Sequence, residues 1–182
     1  MFGRNSHKGA GKEGQMQIDE FHWQRELIIK APCHDGRSAL LTIAEDLSER
    51  IGFQPKDLLV PLEAREALGS TGFGGGFALP HALVPDLRSP AKVLMTLRNG
   101  IDFGSPDDGP VDIFLAVLWP KGEHQSFLPA LAKLCRPFRS VRVLEGLRGA
   151  QSKTEAMMVL QVFDTSDRLP SVSPSVVGAK AI

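Results

Sequence analysis

His81 directly follows a proline at the end of a glycine-rich stretch, Gly69-Ser70-Thr71-Gly72-Phe73-Gly74-Gly75-Gly76-Phe77-Ala78-Leu79-Pro80-His81. An imidazole titrates near neutral pH, so its neutral form is available as a nucleophile. A nucleophilic histidine can carry a covalent intermediate. If a hydrogen bond holds one ring nitrogen, the other is free to attack phosphorus. Five glycines lie within eight residues, 69–76. Glycine lets backbone approach a ligand closely, and several exposed N–H groups in such a loop can form an anion-binding nest. Ser70 and Thr71 add hydroxyl donors. Gly69, Ser70, Thr71, Gly72, Gly74 and Gly76 are thus the candidate phosphate-binding residues. Arg65 can offset the charge of phosphoryl oxygens. On position alone it reads rather as a solvated helix-end charge, and a lone histidine is more often structural than reactive.

Other chemistries fit the sequence less well. No Gly-Lys-Ser/Thr follows the glycines, as a Walker A loop requires, and Phe77 stands where a dinucleotide-binding fingerprint needs its third glycine. A second G-x-G-x-x-G match, Gly9 to Gly14, has no strand before it and no helix pattern after it. His22, Cys33 and His34 lack zinc-site spacing, and no metal or cofactor is expected. A hydrolase using His81 as a base has no accompanying nucleophile or metal cluster.

The elements around this stretch follow from periodicity. Leu27-Ile28-Ile29 reads as a strand. Ser38 is expected to cap a helix with its apolar stripe on Leu40, Ile43, Ala44, Leu47 and Ile51, and Gly52 to stop it. Pro55 can open a second helix toward Leu68, which Pro61 should kink or shorten. Pro80 cannot donate to a sheet ladder, so the strand through Phe77-Ala78-Leu79 should end there and present His81 beside the glycine loop.

Val93–Leu97 and Val111–Leu118 read as strands, the second apolar enough to be buried on both faces. Asn99-Gly100 and 104–110 supply turns. Ser126 is expected to cap a helix carrying Phe127, Leu128, Leu131, Leu134, Cys135 and Phe138, with Pro129 in its first turn and Pro137 limiting its far end. Further helices are expected near Val141–Leu147 and Glu155–Phe163. Helices mixed with buried strands make an α/β layered domain.

The chain has 182 residues, of which 42% are hydrophobic and 23% charged, enough for one domain with a useful core plus tails. Residues 1–24 read as a flexible leader, 25–164 as the domain and 165–182 as a flexible tail. Lys plus Arg and Asp plus Glu number 21 each, so the net charge is zero. That argues against a nucleic-acid binder working by counterion release. The longest apolar run, Ile113–Trp119, is far below the ~20 residues that cross a membrane. No secretory signal is visible at the N-terminus. Cys33 and Cys135 read as reduced thiols rather than a disulfide framework. The expected compartment is the cytoplasm.

The segment from Arg65 to His81 resembles the active-site signature of fructose/mannitol-type enzyme IIA domains of the bacterial phosphoenolpyruvate-dependent phosphotransferase system. It is similar to the nitrogen-regulatory branch in particular, whose usual form is R-E-x-x-G-S-T-G-x-G-x-G-x-A-[IL]-P-H. Gly100-Ile101-Asp102-Phe103 and Pro110-Val111-Asp112 also agree, and the resemblance covers roughly residues 27 to 163. It implies a three-layer α/β/α sandwich around a mixed sheet. It implies phosphorylation of His81 by an HPr-like phosphocarrier, assisted by Arg65.

One departure stands out. The family usually carries a second active-site histidine in an H-L-x-x-L-A pattern, and here the stretch is Phe127-Leu128-Pro129-Ala130-Leu131-Ala132. His124, three residues earlier, either approaches the site in its place or is an exposed loop histidine. Phe73, Phe77 and Pro61 are milder departures, and the segment before Leu27 diverges from the family.

The leading expectation is a phosphoryl carrier that signals through a regulatory target protein not named by the sequence. Two alternatives remain beside it. One is a binding module that has lost phosphotransfer, and the other is a sugar-transport enzyme IIA subunit.

Overall fold

The computed structural model describes residues 25–167. The expected leader, its glycine motif and His22 lie outside the described residues, as does the tail beyond residue 167. The first strand, β1 (Leu27–Ala31), leads into α1 (Gly36–Ile51) and α2 (Pro55–Glu66). Three short strands follow: β2 (Gly72–Gly74), β3 (Phe77–Ala78) and β4 (His81–Val84). Two long ones come next, β5 (Ala91–Ile101) and β6 (Val111–Pro120). The chain then runs through α3 (His124–Leu134), α4 (Val141–Gly149) and α5 (Lys153–Asp167).

The six strands form one mixed sheet in the order β1-β5-β6-β3-β2, with β4 also paired to β6. β1 lies parallel to β5, and β5 runs antiparallel to β6. β3 and β4 lie end to end along the other edge of β6, both parallel to it, with Phe77 opposite Ile113 and His81 opposite Val117. Leu79 and Pro80 interrupt this composite strand, because Pro80 has no N–H to give. Its carbonyl still accepts from Val117 N at 2.9 Å. The ladder therefore breaks at the proline, as expected, but resumes at once, so His81 opens a new strand rather than ending one.

β6 is buried along almost its whole length, and alternate residues face opposite layers. Phe114, Ala116 and Leu118 join Val93, Met95 and Leu97 under α1 and α2. Ile113, Leu115, Val117 and Trp119 join Leu27, Phe77 and the inner faces of α3, α4 and α5. A helix layer thus covers each face of the sheet, the three-layer α/β/α arrangement expected from the sequence.

Several local expectations need correction. Asp35, not Ser38, is the N-cap of α1. Its side chain accepts from Ser38 N at 2.7 Å, and Ser38 Oγ accepts from Asp35 N at 3.1 Å, a capping box with Ser38 in the third position. Gly52 does stop α1, in the left-handed conformation at φ 76°. Pro61 does not shorten α2, which continues to Glu66 with Leu58 and Leu62 buried on either side of the proline. Packing against α1 here outweighs one lost backbone hydrogen bond.

Asn99-Gly100 is not a turn between strands but part of β5. The register between β5 and β6 slips between Thr96 and Ile101, an irregularity that absorbs the turn-forming pair. α3 begins at His124 with Glu123 at its N-cap, so Ser126 lies inside the helix and Pro129 falls in the second turn. Ser126 Oγ instead donates back to the Glu123 carbonyl at 2.9 Å. Among the apolar residues expected to face inward from α3, Leu128 is 69% exposed.

Candidate functional site

His81 lies where both helix layers can reach it, because β4 is an edge segment with a strand on one side only. α2, from one layer, delivers Arg65, and α3, from the other, delivers Phe127. Arg65 Nε donates to His81 Nε2 at 3.0 Å, and a terminal nitrogen of the same guanidinium donates to the Gly69 carbonyl at 2.9 Å. On the other edge of the ring, His81 Nδ1 lies 2.8 Å from the Leu79 carbonyl oxygen. A carbonyl only accepts, so Nδ1 carries the proton. Nε2, receiving an N–H from arginine, carries the lone pair. Both contacts select the same neutral tautomer.

The electrostatics act in the same direction. Burial holds the His81 pKa below the usual histidine value, and the positive charge of Arg65 depresses it further. The Leu79 carbonyl and the Glu66 carboxylate pull the other way without reversing the result. The ring is therefore mainly neutral at pH 7.

Glu66 was not singled out by the sequence reading, yet it anchors the glycine loop. Its carboxylate accepts from Thr71 N at 2.8 Å and from Thr71 Oγ1 at 2.6 Å. The Thr71 carbonyl accepts from Leu79 N at 3.0 Å, and the Leu79 carbonyl holds His81. Arg65, Glu66, Thr71, Leu79 and His81 thus close a circuit of hydrogen bonds that begins and ends on α2. Ser70 Oγ ties the loop to the β5–β6 connection by donating to the Phe103 carbonyl at 2.5 Å.

The expected anion nest is partly filled by the protein itself. Thr71 N is taken by Glu66, Gly72 N by Ser70 Oγ at 3.0 Å, and Gly75 N by Asp107 Oδ2 at 2.7 Å. The turn of the β2–β3 hairpin runs through Gly74, Gly75 and Gly76 at φ 90°, 63° and 80°, conformations that only glycine adopts freely. Arg148, also missed from sequence, clamps this turn from α4. It holds Asp112 with Nε at 2.7 Å and a terminal nitrogen at 2.9 Å, and that same nitrogen donates to the Gly75 carbonyl at 2.5 Å. A side chain at Gly76 would run into this guanidinium and the Asp112 carboxylate. Nothing near His81 in the sequence points to Arg148, which is brought in by tertiary packing alone.

Phe127, where the resemblance leads one to expect a second histidine, does pack against the site. Its ring centroid is 5.6 Å from that of His81, and on its other side it meets Trp119 at 5.8 Å. His124 is the first residue of α3, three residues before Phe127. The structure thus brings together His81, Arg65, the loop and Phe127. Among the described residues, no group of three or more His, Cys, Asp or Glu side chains is placed to hold a metal ion. Among the described residues, no helix is long and apolar enough to cross a membrane.

Known proteins resemble this chain in sequence and in fold. A nitrogen regulatory protein homolog of Haemophilus influenzae is 37% identical over 105 residues, 57% of this chain and 64% of that protein, so the chain spans just under two thirds of that relative's length. The nitrogen regulatory protein of Escherichia coli K12 is 30% identical over 129 residues, 70% of this chain and 79% of its own. The crystal structure of nitrogen regulatory protein IIA-Ntr from Neisseria meningitidis superposes with a TM-score of 0.70 at 25% identity, covering 75% of this chain and 94% of that one. The sequence profile of the family described as "Phosphoenolpyruvate-dependent sugar phosphotransferase system, EIIA 2" matches residues 23–162. With the profile spanning the whole sheet and all five helices up to the last turn of α5, this chain belongs to the EIIA type 2 family of that phosphotransferase system.

Proposed function

We propose that the chain is a cytoplasmic phosphoryl carrier with a regulatory role, and that His81 accepts the phosphoryl group through Nε2 from an HPr-like phosphohistidine protein. The observation that carries this reading is the pair of contacts on the imidazole. The Leu79 carbonyl fixes the proton on Nδ1, leaving the Nε2 lone pair facing Arg65. In the transfer, the Nε2 lone pair attacks phosphorus and the donor N–P bond breaks. Its electron pair stays on the donor imidazole. The positive charge that develops on the His81 ring is eased by the Nδ1–H bond to Leu79. Arg65 exchanges its bond to Nε2 for bonds to the phosphoryl oxygens. Positioning and charge stabilisation do most of the work in such a step. With three loop N–H groups already engaged, Arg65 supplies the main positive charge, and the glycine loop shapes the pocket around it.

The nitrogen regulatory relatives favour signalling through a target protein over a dedicated sugar-transport role. The phosphoryl group adds about 1.5–2 negative charges, by analogy with phosphorylated hydroxyls, enough to remodel a docking surface. Phe127 beside His81 favours one second reading, a binding module in which phosphotransfer has been lost.

The deciding experiment mixes phosphoenolpyruvate, enzyme I and the phosphocarrier of the same organism with the wild-type chain and with His81→Ala. Intact mass is read under mildly alkaline conditions. One added phosphoryl group on the wild type, absent from the variant, supports the carrier. No transfer to folded wild type, with the carrier active on another acceptor, leaves the binding module.

A further inference from the structure

The flank of His81 opposite the reach of α2 is closed by an aromatic wall. Phe127 is 8% exposed and tilts 50° against the imidazole. Behind it Trp119, 3% exposed, meets Phe127 at 48°. Two polar groups bordering this wall are engaged with backbone rather than with His81. The Trp119 indole N–H donates to the Glu123 carbonyl at 3.1 Å, and Ser126 Oγ donates to the same carbonyl at 2.9 Å. At this position α3 offers the imidazole neither a proton donor nor a proton acceptor, only a dry ring held from behind.

We propose that Phe127, backed by Trp119, is a positioning residue that fixes the His81 ring and shields it from water, making phosphorylated His81 a long-lived stored signal. The proposal deepens the reading of His81 as phosphoryl acceptor and rests on it. Loss of the phosphoryl group by hydrolysis needs a water oxygen to attack phosphorus. The Nε2–P bond then breaks, its electron pair returns to Nε2, and the proton shed by the water passes to a base. A side chain positioned to take that proton contributes roughly 10²–10⁴-fold to such a step. Phe127 removes that help where it meets the ring. Transfer from a phosphohistidine donor moves no proton and so does not need that help.

The test loads the full chain with phosphoramidate, a small phosphoryl donor that needs no docked protein. The decay of phosphohistidine is followed by intact mass and phosphorus NMR in wild type, Phe127→His, Phe127→Ala and Phe127→Leu. The histidine variant introduces a protic group, the alanine variant admits water, and the leucine variant keeps a dry side chain of similar reach. The expected result is a decay at least about tenfold faster in the histidine and alanine variants, with the leucine variant within about threefold of wild type, set against the range for a placed general base. Nitrogen-15 shifts of the unphosphorylated His81 ring supply a readout that lost stability alone would not move. They should show the Nδ1–H tautomer in wild type and Phe127→Leu, and a mixture in Phe127→Ala. Equal decay in all four chains with an unchanged tautomer overturns the role of Phe127. Absence of any adduct on the wild type, with phosphoramidate shown to modify a control histidine protein, overturns instead the acceptor reading beneath it.

Discussion

Arg65 Nε donates to the Nε2 of His81 across 3.0 Å, from a helix that packs on the opposite layer of the sheet from Phe127. The guanidinium sits on the nitrogen that would bond phosphorus in the proposed transfer, so it both guards the lone pair and stands where phosphoryl oxygens would arrive. Arg65→Ala should lower the rate of phosphoryl acceptance about a hundredfold, the scale of one preorganised charge-stabilising donor. Arg65→Lys should recover only part of it, since an ammonium cannot hold Gly69 and a phosphoryl oxygen in one plane. Rapid-quench time courses of transfer check both, and a rate for Arg65→Ala within threefold of wild type would remove the arginine from the mechanism.

The depressed pKa of His81 gives a pH signature with a definite sign. Burial and the Arg65 charge disfavour the protonated ring, so His81 stays neutral to a lower pH than a free histidine does. Phosphoryl acceptance should therefore persist below pH 6.5, and Arg65→Ala should move the titration upward. Glu66 raises the value in the native chain, so Glu66→Gln should move it downward. Stability follows by linkage. As pH falls through the unfolded value near 6.5, the unfolded chain takes a proton that the folded chain resists, so this group's contribution is lost from there down toward the folded pKa. Carbon-13 titration of the His81 ring in the three chains measures both the order and the direction.

Glu66 fixes the loop through two hydrogen bonds to one residue. Thr71 is 6% exposed, so Glu66→Ala leaves its N–H and hydroxyl buried without their acceptor. The cost should be about 1–3 kcal/mol in urea unfolding. The circuit through Leu79 predicts more than lost stability, because a loosened Thr71 frees Leu79 N and with it the carbonyl that sets the His81 tautomer. Glu66→Gln can still accept from one Thr71 donor and should cost less. Equal stability of the alanine variant and the wild type would show that water replaces the carboxylate.

Arg148 joins α4 to the hairpin turn. Its side chain is 35% exposed and that of Asp112 24%, so solvent screening discounts the ion pair, and the fixed fork geometry matters more than the charge. Arg148→Met should destabilise the fold by about 1–2 kcal/mol, as expected for losing charged hydrogen bonds at a partly exposed site. Amide exchange at Gly75 and Gly76 should quicken more than exchange in β6. Uniform quickening across the sheet would mean that the clamp supports the fold and not the turn.

Much of this was legible in the chain itself, for reasons that differ by element. β6 announced itself because a strand buried on both faces needs an unbroken apolar run, and Ile113–Trp119 is one. α1 could be read from its stripe, although its cap was misplaced because Asp35 and Ser38 share a reciprocal motif and the sequence does not say which residue leads. His81 and Arg65 stood out through residue type and the signature around them. Asn99-Gly100 misled because its local preference for a turn is absorbed in the irregular stretch between Thr96 and Ile101, where β5 shifts its register on β6, a tertiary effect that periodicity does not carry. Glu66, Asp107 and Arg148 escaped notice for a related reason: their partners lie on other elements, and Arg148 meets Asp112 from 36 residues away.

The division of the site between two helix layers has a consequence for how such a protein can change. Arg65 belongs to a helix seated on one apolar cluster, and Phe127 to a helix seated on the other, with β6 as the partition between them. The two helices meet at one imidazole, which Arg65 holds by a hydrogen bond and Phe127 by ring contact. On the proposed carrier reading, one layer would supply the charge that meets the phosphoryl group and the other the apolar cover that sets how long it lasts. A carrier built this way would have two separate addresses in its sequence, one on each side of the sheet, at which the lifetime and the receipt of a message could be altered.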